Sequence, residues 1–382
     1  MKLSNFKSIT IFLKGLILAG SFNSTIAFSS DQSLNSDLPT NSQIDNIISK
    51  EIDILMRDKK FQSVSGAIYL DGFGKSFHYG KMDNAKKPND NTLFEIGSLT
   101  KTYTGLLLAQ AVHDGQINLD DAVTDHVSHI NPEIFVKNGK TATIRDLATH
   151  MSGLPVNLSC GGDELTVEVR FKCYQDYGRD QFNYKLSRAL ILDPPGTKYR
   201  YSNAGIRLLS HIIEDTYSMS YSELLNRFIF NRSGETDTLF RLGNGDRERL
   251  AIGKNEHGNI MPNASEFYFG AGALKTSTAS YLDHLTFYLE SGAPIVELAT
   301  KLIAGDMNGL GRAYVWNTFR LESEGMLYHA GGTFGTSSWA ALYPKENMAI
   351  FLVTPLSSPN AQQLLNETSN RIIDAVRARR GN

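Results

Sequence analysis

Residues 97–103 read GSLTKTY and lie between the apolar run TLFEI (92–96) and the helix-like stretch TGLLLAQAVHDG (104–115). Ser98 stands where a strand-like segment passes into a helix. Lys101 follows at i+3, so the two side chains share one helical face. Two readings fit. A serine at a helix start commonly caps it, its hydroxyl accepting an orphan N–H, with the lysine a solvated charge. In the other, Ser98 is a nucleophile activated by Lys101, at a helix N-terminus whose N–H groups and dipole favour a developing oxyanion. The Ser-x-x-Lys spacing alone does not decide, because Ser4 and Lys7 repeat it near the N-terminus.

Two later segments bear on the choice. PPGTKYRYSNAG (194–205) sets a Pro-Pro-Gly turn before Tyr201, Ser202 and Asn203, the only Tyr-x-Asn of the chain. A phenol near pKa 10 is a poor base unless a neighbouring cation lowers its pKa, which a lysine ammonium beside it could do. The same residues, taken alone, also fit a buried tyrosine beside a capping asparagine. YHAGGTFGTSSWAALYP (328–344) places His329, Ala330, Gly331 and Gly332 just before a strand-like run. Glycines there let a ligand approach the backbone closely. His-x-Gly alone carries no weight, since His78 to Gly80 and His113 to Gly115 match it too.

Around these motifs the pattern is strands at both ends and helices between. QIDNIISKEIDILMRD (43–58) has helical apolar spacing. SVSGAIYL (63–70) and KSFHYGKM (75–82) flank DGFG and read as a hairpin, as do SSWAALYP (337–344) and MAIFLVTP (348–355) around KEN. AQQLLNETSNRIIDAVRARR (361–380) reads as a closing helix. The layout predicts an α+β fold: one antiparallel sheet built from both termini, flanked by helices, with an all-helical region inserted. The α/β part is expected over about 41–110 and 267–382, and the helical part over about 111–266.

At 382 residues, 41% hydrophobic and a formal net charge of -2, the chain has ample core and no basic surface of the kind nucleic acids need. Residues 1–27 are expected to be an export signal: Lys2 and Lys7 precede the apolar ITIFLKGLILAG, and the small residues of STIAFSS allow cleavage after Ala27. Residues 28–40 then form a flexible lead-in. The expected location is periplasmic or secreted, with no membrane span in the mature chain. The two cysteines, Cys160 and Cys173, are the only ones present and are expected to pair in an oxidising compartment.

Together and in this order, the three motifs resemble those of the serine β-lactamase and penicillin-binding-protein family, above all the branch of class C β-lactamases, D-Ala-D-Ala carboxypeptidases and related esterases. The resemblance extends through TIRDLATHMSGLP (143–155) and GAGALKTSTASYLDHL (270–285) and covers nearly the whole mature chain. It implies a β-lactamase/transpeptidase-like fold and a covalent serine mechanism without a cofactor. It further implies that Ser98 is the acylated nucleophile, that Lys101 and Tyr201 share the general-base and general-acid work, and that Asn203 positions the substrate amide. His329 and Gly331 would line the third edge of the site, and the N–H groups of Gly332 and Ser98 would form the oxyanion hole. The implied partner is a small-molecule or peptide substrate such as a cell-wall stem peptide, with no nucleic acid.

One departure separates the branches. β-Lactamases of this type carry Lys-Thr-Gly where this chain has His329-Ala330-Gly331. A histidine is mostly neutral at pH 7 and attracts a substrate carboxylate less than a lysine does. That favours a D-amino-acid peptidase or esterase over a β-lactamase, unless Arg312 or Arg320 supplies the charge. A non-catalytic binding protein would have no need of Ser98, Lys101 and Tyr201 together. Asp125, His126 and His129 match no catalytic zinc spacing, so no metal is expected. GAGAL (270–274) lacks the Lys-Ser/Thr pair of a phosphate loop and reads as a tight turn beside the site.

Overall fold

A computed structural model describes residues 39–83, 85–158, 166–175, 177–263, 266–323 and 325–380. The expected leader and most of the lead-in lie outside the described residues. Residues 39–382 form one compact unit. It opens with α1 (Asn41–Leu55), where the Thr40 hydroxyl accepts the Gln43 N–H and the Gln43 side chain returns to the Thr40 N–H. This reciprocal cap sets the helix start, and Ile44, Ile48, Ile52 and Leu55 form its buried stripe. β1 (Ser63–Leu70) and β2 (Phe73–Gly80) follow as a hairpin. The turn is shorter than the DGFG of the sequence reading: Asp71 (φ 44°) and Gly72 (φ 86°) alone make it, the two-residue, positive-φ turn that suits the strand twist.

α2 (Thr100–His113) is buried at every position from Thr100 to Ala111, as befits a helix enclosed on all sides. α3 (Asn203–Tyr217) packs against it, and α4 (Thr278–Glu290) lies on β1 and β2. The sheet is completed by β3 (Ala304–Gly305), β4 (Leu310–Arg312), β5 (Asn317–Phe319), β6 (Met326–Gly332), β7 (Ser337–Tyr343) and β8 (Met348–Thr354). Its order is β2-β1-β8-β7-β6-β5-β4-β3, and every pairing is antiparallel.

The first hairpin therefore pairs with the last one, Ala67 opposite Phe351, which is the sheet from both ends of the chain that the sequence predicts. All positions of β1, β7 and β8 are buried, so both faces are covered. On one side Tyr281 of α4 meets Phe351 with ring centroids 4.1 Å apart. The closing helix α5 (Ala361–Arg380) packs on β7 and β8 and against α1, where Arg371 Nε donates to the buried Glu51 at 2.7 Å. Among the described residues no helix is long and apolar enough to cross a membrane.

Candidate active site

Ser98 lies in a 3-10 turn, Gly97–Leu99, that runs into α2. It is not a cap: no side chain caps either the turn or α2. Gly97 holds φ +51°, and a Cβ there would sit 2.5 Å from the Gly332 nitrogen. Only glycine permits both the backbone angle and that approach, so the end of β6 is pressed directly against the residue before Ser98. Gly331 is equally confined, since a Cβ on it would meet the Ile96 carbonyl at 2.0 Å.

The Ser98 hydroxyl has two partners. Lys101 Nζ donates to it at 3.0 Å, and Tyr201 Oη lies 2.6 Å away. Lys101 is fully buried at the start of α2 and also donates to the Ala271 carbonyl at 2.5 Å. Ala271 belongs to the GAGAL turn, which thus stands beside the site as expected. Burial pushes the Lys101 pKa well below the usual lysine value, because an ammonium loses its hydration there. Tyr201 moves the other way. Burial raises its phenol well above 10, and the hydrogen bond to Ser98 offsets only part of this. The sequence reading left open that a lysine ammonium could lower the tyrosine. The structure reverses that: Lys101 Nζ is 4.9 Å from the Tyr201 ring centroid, but desolvation favours its neutral form and takes away the charge that would have stabilised a phenolate.

Asn203 opens α3, yet the cap of that helix is Ser202, whose hydroxyl accepts the Gly205 N–H at 2.8 Å. The Asn203 amide donates to Asn157 Oδ1 at 3.0 Å, while its own Oδ1 is buried without a partner in the protein. His329 is 3% exposed, and its Nδ1–H donates to the Ala330 carbonyl at 2.7 Å. Burial foremost, with a smaller contribution from the Arg312 charge, pushes its pKa down to about 3. The imidazole is therefore neutral across the physiological range.

Ser98, Tyr201, Asn203, His329, Ala330 and Gly332 line one cleft of about 420 Å³. Gly331 does not line it; its part is the close packing on Ile96. Tyr268, Asn317, Phe334 and Gln362 also line the cleft, and the sequence offered no signal for them beyond their nearness to GAGAL, β5, the glycine run and the start of α5. Of the two candidate arginines, Arg312 is the near one. Its charge acts on His329 and His150, and its guanidinium lies 4.3 Å from the Tyr199 ring centroid. Arg320 lies instead over Phe319.

His126 pairs with Asp121 at 3.1 Å, and no group of three or more His, Cys, Asp or Glu among the described residues is placed to hold a metal. Cys173, on the helix Val167–Gln175, is not a free thiol; its expected partner Cys160 lies outside the described residues. A second cavity, about 450 Å³, is lined by Lys59, Lys81 and Lys254 together with Asp83 and Glu256 and contains none of the motif residues.

A serine touched by a buried lysine and a tyrosine, beside a glycine-lined strand end, is an arrangement suited to covalent serine hydrolysis. A model of the Beta-lactamase family matches residues 48–374, and the chain belongs to that family of serine hydrolases. It is similar to Protein flp of Staphylococcus aureus strain COL, 27% identical over 327 residues, covering 82% of this chain and 62% of that protein. Protein flp of strain MRSA252 matches over the same shares at 26% identity. The Beta-lactamase of Yersinia enterocolitica is 28% identical over 194 residues, 50% of this chain and 45% of that protein. The chain thus spans 62% of the length of these flp relatives.

Proposed function

We propose that the chain is an exported hydrolase that forms an acyl-enzyme on Ser98 and acts on peptide, amide or ester bonds, D-Ala-D-Ala-type peptides first among them. The observation that carries this reading is the pair of contacts on Ser98, at 3.0 Å from Lys101 and 2.6 Å from Tyr201. A neutral Lys101 takes the Ser98 proton as the hydroxyl oxygen attacks the acyl carbon. The N–H groups of Ser98 and Gly332 hold the oxyanion, in a cleft where such donors act strongly. Tyr201, kept protonated by burial, hands a proton to the leaving nitrogen or oxygen and recovers one from Lys101. Water then attacks the ester carbonyl, loses its proton to the same pair, and Ser98 leaves with a proton restored. Asn203 holds the substrate amide.

A neutral His329 in place of a lysine supports a peptidase or esterase. The second reading, a β-lactamase, is supported by the name of the Yersinia enterocolitica relative and by the nearness of the Arg312 charge. The leader-like N-terminus supports export, and the only two cysteines support a Cys160–Cys173 bridge. The test of substrate class is a parallel assay on a penicillin, a D-Ala-D-Ala peptide and a short p-nitrophenyl ester. Peptide or ester turnover with slow clearance of penicillin supports the proposal; fast penicillin turnover alone replaces it with the β-lactamase reading.

A further inference from the structure

Tyr201 reaches Ser98 from a loop, and a single residue from another part of the chain holds that loop on both sides. His150 follows the short helix Ile144–Ala148 and has φ +60°, a left-handed angle in which histidine is one of the more frequent non-glycine residues. This backbone turns its carbonyl and its imidazole toward the same tripeptide, Arg200-Tyr201-Ser202. The Arg200 N–H donates to the His150 carbonyl at 2.7 Å. The Ser202 N–H donates to His150 Nδ1 at 3.2 Å. Between the two bonds the imidazole packs on the Tyr201 ring, centroids 4.6 Å apart. Ser202 is pinned further, its hydroxyl donating to the Pro155 carbonyl at 2.7 Å.

The imidazole accepts at Nδ1, so its proton is on Nε2, and that nitrogen is buried without a partner in the protein. An apolar side chain would fill the same space without an unpaired donor, which buried sites ordinarily avoid. What the imidazole adds is the acceptor for Ser202. It also stays able to accept, because burial foremost, with the Arg312 charge adding to it, pushes its pKa well below the usual value.

We propose that His150 is a positioning residue for acylation: it brackets Tyr201 between two backbone hydrogen bonds and a ring contact, and so keeps the phenol oxygen in reach of Ser98. The inference rests on the reading of Ser98 as the acylated nucleophile. Binding of the acyl donor does not pass through His150, so its loss acts on the chemical step.

The test compares two replacements. His150→Phe keeps a ring and removes the acceptor. His150→Asn offers Oδ1 where Nδ1 stood and tolerates the positive φ. The readout is the time course of Ser98 acylation by a fluorescent penicillin, with p-nitrophenyl acetate as second acyl donor, resolved into a limiting rate and a half-saturation concentration. Misplacing a catalytic group by about 1 Å costs on the order of a hundredfold. His150→Phe is therefore expected to lower the limiting rate by about 10- to 100-fold with half-saturation nearly unchanged, and His150→Asn to recover most of the loss. In a Tyr201→Phe background the His150→Phe change should have no further effect, since it acts through the phenol. If His150→Phe does not fold, His150→Gly takes its place, because glycine suits φ +60° and keeps the carbonyl bonded to Arg200.

An Asn variant as impaired as the Phe or Gly variant would overturn the inference. So would a loss of equal size in the Tyr201→Phe background, or a change in half-saturation alone. A wild-type protein acylated at Ser98 whose variants behave normally overturns this inference only. A wild-type protein inert to both acyl donors overturns the acyl-enzyme reading and this inference with it.

Discussion

Replacing His329 with lysine tests whether this position reads substrate charge. His329 is 3% exposed, lies in the cleft with Ser98, and is held neutral by burial foremost and by the Arg312 charge. A lysine there would bring an ammonium to the edge of the cleft. At an effective dielectric of about 20, an ammonium and a carboxylate 4 Å apart attract by about 4 kcal/mol. Most of that is lost to desolvation of the two ions, and the nearby Arg312 takes a share by repulsion. A net gain of about 1 to 2 kcal/mol remains, in line with charge-assisted hydrogen bonds. That is roughly five- to thirtyfold in kcat/KM for a substrate with a free carboxylate, and nothing for a neutral ester. The new charge also pushes Lys101 further toward its neutral form, which leaves the proposed base competent. The assay is kcat/KM on His329→Lys and wild type for a matched pair, a carboxylate-bearing penicillin or peptide and an uncharged p-nitrophenyl ester. Equal changes for both substrates would show that position 329 does not read charge, and the preference for a peptidase or esterase over a β-lactamase would lose its basis.

Three further outcomes are expected. Lys101→Met should lower the acylation rate by about 10²- to 10⁴-fold, the usual contribution of a positioned base, with the thermal melting point kept or raised because a buried amine is removed; acylation within a few-fold of wild type would remove Lys101 from the mechanism. Stability should fall in acid through His329: its folded pKa is about 3 against about 6.5 unfolded, so below pH 6.5 the unfolded chain takes up a proton that the folded one refuses. Stability from this group is complete above pH 6.5 and is lost as pH falls toward 3, by about 2 kcal/mol between pH 7.5 and 5; urea midpoints should show a shallower pH slope in His329→Asn, and an unchanged slope would contradict the buried neutral imidazole. Thiol titration of denatured, non-reduced protein secreted into an oxidising compartment should find no free thiol, and two free thiols would refute the Cys160–Cys173 bridge.

Much of the frame was legible because its signals are local. The Asp71-Gly72 turn between alternating runs marks the first hairpin, and the Lys345–Asn347 turn marks the last. Ile44, Ile48 and Ile52 mark α1 by their spacing. That the two hairpins share a sheet followed from layer logic and from the family resemblance. Ser98 and Lys101 are one helical turn apart, so their contact was readable too. Tyr201 lies about a hundred residues further on, and only the resemblance linked it to Ser98. The direction of the Tyr201 shift was not legible because it depends first on the burial of the phenol itself, a property of the packed core that no spacing encodes. His150 and Gln362 escaped notice for the same reason: each reaches the site through tertiary contacts, His150 by a left-handed backbone that the string HMSG does not announce.

The central claim is that Ser98 is the acylated nucleophile. Its most direct test is intact-mass and peptide-mapping mass spectrometry after incubation with a fluorescent penicillin or an active ester, on wild type and Ser98→Ala. One acyl adduct mapped to Ser98 in wild type, and none on a folded Ser98→Ala protein, is the predicted result. An adduct that persists on Ser98→Ala, or that maps to another residue in wild type, would contradict it.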